Sequence, residues 1–219
     1  MKGICFIEPL HDKTVKGLKV QTRRIINPQP LEIVCSTIID NKLLFETRDE
    51  NDAFVFLKPR YKVGDVLYLK EPYIDDSDMF FTAYPIHETL TYNSGTTLYQ
   101  YGNDTSILDS IYGDKVKWKN KLFMGAKYAR LFVEITAVRG ERLQDISNED
   151  CIKEGIEEEL NIHNDKQWFT YCNGTHSFDT PREAYKALIN SIDGKDTWNN
   201  NPWVWVYDYE LIDRKEVQL

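Results

Sequence analysis

A chain of 219 residues, 42% hydrophobic and 28% charged, carries enough apolar material for one substantial core, which excludes an intrinsically disordered protein. Its formal net charge of -8 weighs against sequence-independent attachment to duplex DNA, which relies on many cationic contacts to phosphate. Cys5, Cys35, Cys151 and Cys172 form no C-x-x-C pair and no regular framework, so the expectation is a reduced, cytoplasmic protein with a single domain over 1–219.

Residues 3–7 predict a first strand, cut off by Glu8 and Pro9 and too short for a signal-peptide core or a membrane span. A short helix follows over 9–16, with Pro9 early and Gly17 past its end. The next stretch, Gly17-Leu18-Lys19-Val20-Gln21-Thr22-Arg23-Arg24, crowds three cations around a hydroxyl and an amide, with Val20 its one apolar residue after Leu18. Residues three apart on a regular strand face opposite ways, so convergence of Lys19 and Thr22 predicts a turn, bulge or irregular segment between them. Two β-rich runs over 33–47 flank Asp40-Asn41, a hairpin signal, and 53–57 adds another strand. Gly64-Asp65 launches Val66-Leu67-Tyr68-Leu69, which ends in Lys70-Glu71-Pro72-Tyr73.

Residues 75–120 are rich in Asp, Asn, Ser, Thr, Gly and Tyr and read as a loop-rich insertion, with short strands near 80–84 and 97–101. A long strand is expected over 129–138, with Leu131, Val133, Ile135 and Ala137 on one face. Ser147 and Asp150 predict a capping box opening a helix that carries Cys151, Ile152 and Glu154. Thr180-Pro181-Arg182-Glu183 repeats the signature before Ala184, Leu188 and Ile192, with Gly194 as the stop, and 203–211 predicts a closing strand.

Charge is unevenly placed. Residues 1–30 carry six basic against two acidic residues, and 141–165 nine acidic against two basic. A local basic patch on an acidic body suits one nucleotide or a short strand, although most such charges in proteins are solvated faces. A lysine beside a hydroxyl becomes a base once burial lowers its pKa, and a neighbouring carboxylate orients it; Lys19, Thr22 and Glu154 are the candidate parts. The competing reading of the basic stretch is an edge strand whose charges discourage aggregation. Gln21, Arg23, Arg24, Glu71 and Tyr73 are candidate binding residues, and Glu71 is equally well read as a salt-bridge partner. Tyr68, Tyr73, Trp118 and Tyr128 are candidates to stack on a base. His163, Cys172 and His176 match no zinc spacing, so no metal and no cofactor is expected.

Taken in order, the basic stretch, Gly64-Asp65-Val66-Leu67-Tyr68-Leu69-Lys70-Glu71, Glu141-Arg142-Leu143-Gln144-Asp145-Ile146 with Glu149-Asp150 and Glu154-Gly155-Ile156, and Asn201-Pro202-Trp203-Val204-Trp205-Val206 resemble the ASCH-domain proteins of the PUA-like superfamily, in particular the long forms of phages and prophages. The resemblance implies an α+β fold, a PUA-like mixed β-barrel with short flanking helices, and a cleft for RNA or a modified nucleoside. Small bacterial ASCH proteins include amidohydrolases that deacetylate N4-acetylcytidine. Their G-x-K-x-x-T-x-R motif falls on Gly17, Lys19, Thr22 and Arg24, and their glutamate on Glu154, so the resemblance implies Lys19 activating Thr22 with Glu154 positioning Lys19 or protonating the leaving amine. Two rivals stand beside hydrolysis: a non-catalytic RNA-binding module, and a phage accessory protein that binds a host protein through its acidic surface.

Overall fold

The structure, a computed structural model, describes residues 1–39, 42–49, 51, 53–76, 79–82, 90–91, 97–98, 120–160, 167–171 and 176–213. In chain order these form β1 (Lys2–Cys5), α1 (Glu8–Val15), β2 (Gln21–Ile25), β3 (Glu32–Ile39), β4 (Lys42–Arg48), β5 (Phe54–Leu57) and β6 (Val66–Lys70). The two-stranded pairs β7 (Tyr73–Asp76) with β8 (Met79–Thr82) and β9 (Leu90–Thr91) with β10 (Thr97–Leu98) follow. Then come β11 (Phe132–Arg142), α2 (Asn148–Lys153), β12 (Glu157–Leu160), β13 (Gln167–Thr170), α3 (Pro181–Asp193), α4 (Thr197–Asn200) and β14 (Trp203–Ile212). The fold is α+β, as the sequence predicts. Of the expected insertion, the paired strands β7 to β10 and Asn120 are described; the rest of 75–120, including Trp118, lies outside the described residues, as do the Asp40-Asn41 turn, His163 and Cys172.

The chain divides into two compact units. The first comprises Met1–Asp12, Val66–Phe132 and Ile212–Leu219, and the second Lys13–Asp65 and Val133–Leu211. In the first, β1 runs parallel to β6 with Gly3 opposite Tyr68. A Cβ on Gly3 would stand 2.7 Å from the Tyr68 ring, so glycine is required by close approach of a large side chain. Gly3→Ala is expected to cost about 1–3 kcal/mol through overpacking, measured by urea denaturation. One core cluster here is Tyr68, Tyr73, Met124, Ala129 and Phe132, and the Tyr68 hydroxyl donates to the Met124 carbonyl at 2.9 Å, which satisfies the polar tip of a buried ring.

In the second unit β14 lies between β11 and β2, antiparallel to β2 with Thr22 opposite Tyr207 and Gln21 opposite Asp208. Strand alternation sorts these residues into two faces. Trp205 and Tyr207 pack on Phe45 (ring centroids 4.6 Å) and Tyr61 (5.1 Å), respectively; Phe45 belongs to the antiparallel sheet β3-β4-β5. The opposite face carries Gln21, Arg23 and Asp208, whose side chains meet residues of β11 and α2.

Both helix caps form where the sequence places them: Ser147 accepts from the Asp150 amide at 3.1 Å and Thr180 from the Glu183 amide at 3.2 Å. The Asp150 carboxylate does not close the predicted box by reaching back to Ser147. It is taken by Arg23 and Arg139, with the Gln21 amide beside them, because charged donors such as the two guanidinium groups bind a carboxylate more strongly than a backbone amide. Helix α3 buries Ala184, Tyr185, Leu188 and Ile189, while Ile192, expected on that face, is 39% exposed in the last turn. Strand β11 starts three residues later than predicted, after a 3-10 turn at Ala126–Tyr128, and runs four residues further through Arg139-Gly140-Glu141-Arg142. Periodicity alone ends the strand at its last apolar residue; partners for Arg139 and Glu141 carry it on.

Candidate functional site

The basic stretch enters its site through an irregular segment. Gly17 adopts φ 69, Lys19 and Val20 lie outside any regular element, and β2 begins at Gln21, so the predicted break before Thr22 is present. Lys19 is 1% exposed, and its ammonium donates to the Gln21 carbonyl (2.6 Å), the Glu154 carbonyl (3.0 Å) and Glu154 Oε2 (2.5 Å). Burial pulls its pKa below the ordinary lysine value, against the Glu154 carboxylate, which holds it up.

Glu154 reaches this point because it is the C-terminal cap of α2. Gly155 follows with φ 98, a left-handed turn that lets the helix stop and sends Ile156 into the core. A glutamate after a short helix is expected in solvent; here it is 4% exposed. Its Oε1 accepts from Arg23 Nη1 at 3.1 Å.

Arg23 ties the cluster together. Nε and Nη2 both donate to Glu141 Oε1 (3.0 and 2.6 Å), Nη2 also to Asp150 Oδ2 (3.0 Å), and Nη1 to Gln21 Oε1 (2.5 Å) and Glu154 Oε1 (3.1 Å). These bonds use all five N–H donors of the guanidinium. Its Cζ also lies 5.9 Å from the ring centre of buried Tyr185, whose phenol burial pushes well above the ordinary tyrosine value. Outermost is Arg139, which bonds Glu141 Oε2 (3.0 Å), Asp208 Oδ2 (3.0 Å) and Asp150 Oδ2 (2.5 Å). Gln21 Nε2 completes the ring with Asp208 Oδ1 at 2.5 Å and Asp150 Oδ1 at 3.2 Å.

Burial raises the Asp150 carboxyl pKa, but Arg139 and Arg23 outweigh it and hold the group below the ordinary aspartate value. A carboxylate depressed in the folded state stabilises the fold above its unfolded value and loses that contribution as pH falls through the folded value. The melting temperature is therefore expected to drop as pH is lowered below about 4, and Asp150→Asn to flatten that drop.

The structure thus joins Lys19, Gln21, Arg23 and Glu154, which lie up to 135 positions apart. Thr22, 3% exposed, is placed by alternation on the opposite face of β2, beside Tyr207, and Arg24 shares that face opposite Trp205. Glu71 and Tyr73 belong to the first unit. Glu71 is fully buried, forks onto Arg130 at 2.8 and 2.7 Å and lies 3.4 Å from His11 Nε2. The Tyr73 hydroxyl donates to the Phe123 carbonyl at 3.3 Å, and its ring stacks on Tyr128. Of the candidate stacking rings, Tyr68 and Tyr73 are core residues.

Burial, with Arg130 and Lys121 nearby, brings His11 down to about 3, so its imidazole is expected to stay neutral down to about pH 4 in an NMR titration. Glu71→Gln removes the charge that the Arg130 guanidinium forks onto and is expected to destabilise the protein by about 3–5 kcal/mol, read as a loss of melting temperature. Sequence reading missed Glu141, Asp150, Arg139 and Asp208 as members of the cluster. Asp208 had a signal: it is the one charge inside Trp203-Val204-Trp205-Val206-Tyr207-Asp208-Tyr209.

Comparison with family models, with curated proteins and with solved structures finds no match. Among the described residues no group of His, Cys, Asp and Glu is arranged to hold a metal ion, and no helix is long and apolar enough to cross a membrane.

Proposed function

We propose that the Lys19–Glu154 cluster serves an RNA- or modified-nucleoside-binding ASCH domain of PUA-like type, and that it hydrolyses the N-acyl amide of a modified base such as N4-acetylcytidine. One observation carries the reading: a lysine ammonium almost sealed from solvent, its pKa lowered by burial, in direct contact with a buried carboxylate. Such a pair can exchange a proton with a substrate where an exposed lysine at neutral pH cannot. In its neutral form Lys19 takes the proton of the Thr22 hydroxyl as Thr22 Oγ attacks the acyl carbonyl. The departing amine receives that proton back, and water releases the acyl group from Thr22. This route requires the Thr22 side chain to turn from its present face toward Lys19.

The second reading, a non-catalytic RNA-binding module, is favoured by that same placement of Thr22. In it Arg23 is an internal clamp with its donors committed, and phosphate contact falls to Arg24, which is partly exposed. Incubation of the protein with N4-acetylcytidine, reading free cytidine by chromatography, separates the two. Release of cytidine supports hydrolysis. Absence of release together with salt-dependent binding of a short single-stranded RNA supports the module, and absence of both removes the whole assignment.

A further inference from the structure

Lys13 is a second lysine sealed in the interior, 2% exposed and outside the Arg23 cluster. It lies in the last turn of α1 and opens the second unit. Burying an ammonium is costly unless its three donors find partners. Here they do: Nζ donates to the Gly155 carbonyl at 2.7 Å and to the Tyr171 carbonyl at 3.1 Å, and lies 3.2 Å from Glu157 Oε2.

Two helix ends meet at this residue. Gly17, with φ 69, closes α1 in the double-bonded turn that a glycine past a helix end makes: the Leu18 amide donates to the Lys13 carbonyl at 2.8 Å and the Gly17 amide to the Thr14 carbonyl at 3.0 Å. The same Lys13 carbonyl accepts from the Lys19 amide at 3.1 Å, so the backbone of Lys13 fixes where the Lys19 side chain begins. At the end of α2, the carbonyls that a helix leaves open are taken one after another. The Lys153 carbonyl accepts from the Val20 amide (2.9 Å), the Glu154 carbonyl from Lys19 Nζ (3.0 Å) and the Gly155 carbonyl from Lys13 Nζ. Two ammonium groups thus rest on consecutive carbonyls, at a helix end whose peptide dipoles favour cations.

We infer that Lys13 is a positioning residue for the Lys19–Glu154 pair, holding the Lys19 backbone with its carbonyl and the peptide after Glu154 with its ammonium. Gly155, at φ 98, has no side chain to pack, so the turn that carries Glu154 depends on what binds its carbonyls. Lys19 binds one of them while also meeting the Glu154 carboxylate, and a carbonyl held by the reacting group does not fix that group. The Gly155 carbonyl, held by Lys13, is an anchor independent of Lys19. In the proposed hydrolysis Lys19 changes charge, and an anchor outside the proton transfer holds the turn in both states.

This role rests on the reading of Lys19 and Glu154 as the reacting pair, and two readouts keep it apart from that reading. The first is the nitrogen NMR spectrum of the lysine ammonium groups, which exchange slowly with water when sealed and hydrogen-bonded. The second is the kinetics of N4-acetylcytidine hydrolysis. The full wild-type chain is expected to show protected signals from both Lys13 and Lys19.

The variant Lys13→Met/Glu157→Gln removes the ammonium together with its charge partner, so it leaves no uncompensated carboxylate to unfold the protein. It is expected to shift the Lys19 signal and strip its protection, and to lower kcat about 100-fold with KM changed by less than about threefold, the pattern of a reacting group displaced by about an ångström. Glu157→Gln alone keeps the bond from Lys13 to Gly155 and is expected to leave both the Lys19 signal and kcat as in the wild type. That contrast separates positioning from a general loosening of β12 and β13. A Lys19 signal unmoved in the double variant, an equal change in Glu157→Gln alone, or a Lys13 ammonium that exchanges freely in the wild-type chain would each overturn the positioning role. If the wild-type protein releases no cytidine, the hydrolysis falls, and the Lys19 signal still decides whether Lys13 holds the pair.

Discussion

Replacing Arg23 with methionine is expected to destabilise the protein by about 3–5 kcal/mol, the cost of removing one partner from a buried charge network. Three carboxylates, Glu141, Asp150 and Glu154, and the Gln21 amide oxygen would lose a shared donor, and buried Glu154 and Gln21 lie where water cannot readily replace it. For a protein of this size the loss corresponds to a fall of about 6–20 °C in melting temperature, measurable by circular dichroism. Arg23→Lys is expected to recover little of it. A lysine offers three donors from one point, and the four acceptors around Arg23 are spread along a planar fork. If Arg23→Met melted within a degree or two of the wild type, the guanidinium would be a surface charge in solution and the described cluster would not exist as such.

Lys19→Ala is expected to abolish release of cytidine from N4-acetylcytidine, by at least about 100-fold, the range typical of a lost general base. Glu154→Gln is expected to act differently. It keeps a hydrogen-bond acceptor for the Lys19 ammonium but removes the charge that holds the Lys19 pKa up. The wild-type rate should rise with pH through a value below the ordinary lysine range, because the active form of Lys19 is the neutral one. In Glu154→Gln that rise should move further toward neutrality. The sign follows from the two opposing influences on Lys19: burial favours the neutral amine, Glu154 favours the ammonium, and removing Glu154 leaves burial alone. Equal rates from wild type and Lys19→Ala would exclude catalysis by this lysine, whatever the fate of the binding reading.

The two experiments address different properties of one cluster. Arg23 is a cross-link among β2, β11 and α2, and its loss is read as stability. Lys19 stands at the start of β2, held by a carboxylate at the end of α2, and its loss is read as chemistry. The close contact between them through Glu154 means that Arg23 variants should also disturb activity, so the stability of each variant has to be measured beside its rate.

Local signals in the sequence determined much of the framework. Hydroxyl caps at Ser147 and Thr180, glycines past helix ends at Gly17, Gly155 and Gly194, and apolar runs for β6, β11 and β14 fix elements within a few residues, because each depends on neighbours close along the chain. The irregular entry at Lys19 and Val20 was expected from convergence of Lys19 with Thr22; the break is present, but Thr22 lies on the opposite face of β2. Beyond the pairing of Lys19 with Glu154, tertiary structure decided which charges meet. Asp150 looked like half of a capping box and is a partner of Arg23 and Arg139; Glu154, a candidate partner of Lys19, is sealed against it; Glu71, balanced between a site and a salt bridge, is clamped by Arg130. A carboxylate's role depends on which cation arrives beside it from more than a hundred residues away, and burial multiplies the energy of that encounter. The strands carry each charged residue to its place, but only the closing of the sheet and helices around them sets whether the charge stays in water or becomes part of the interior.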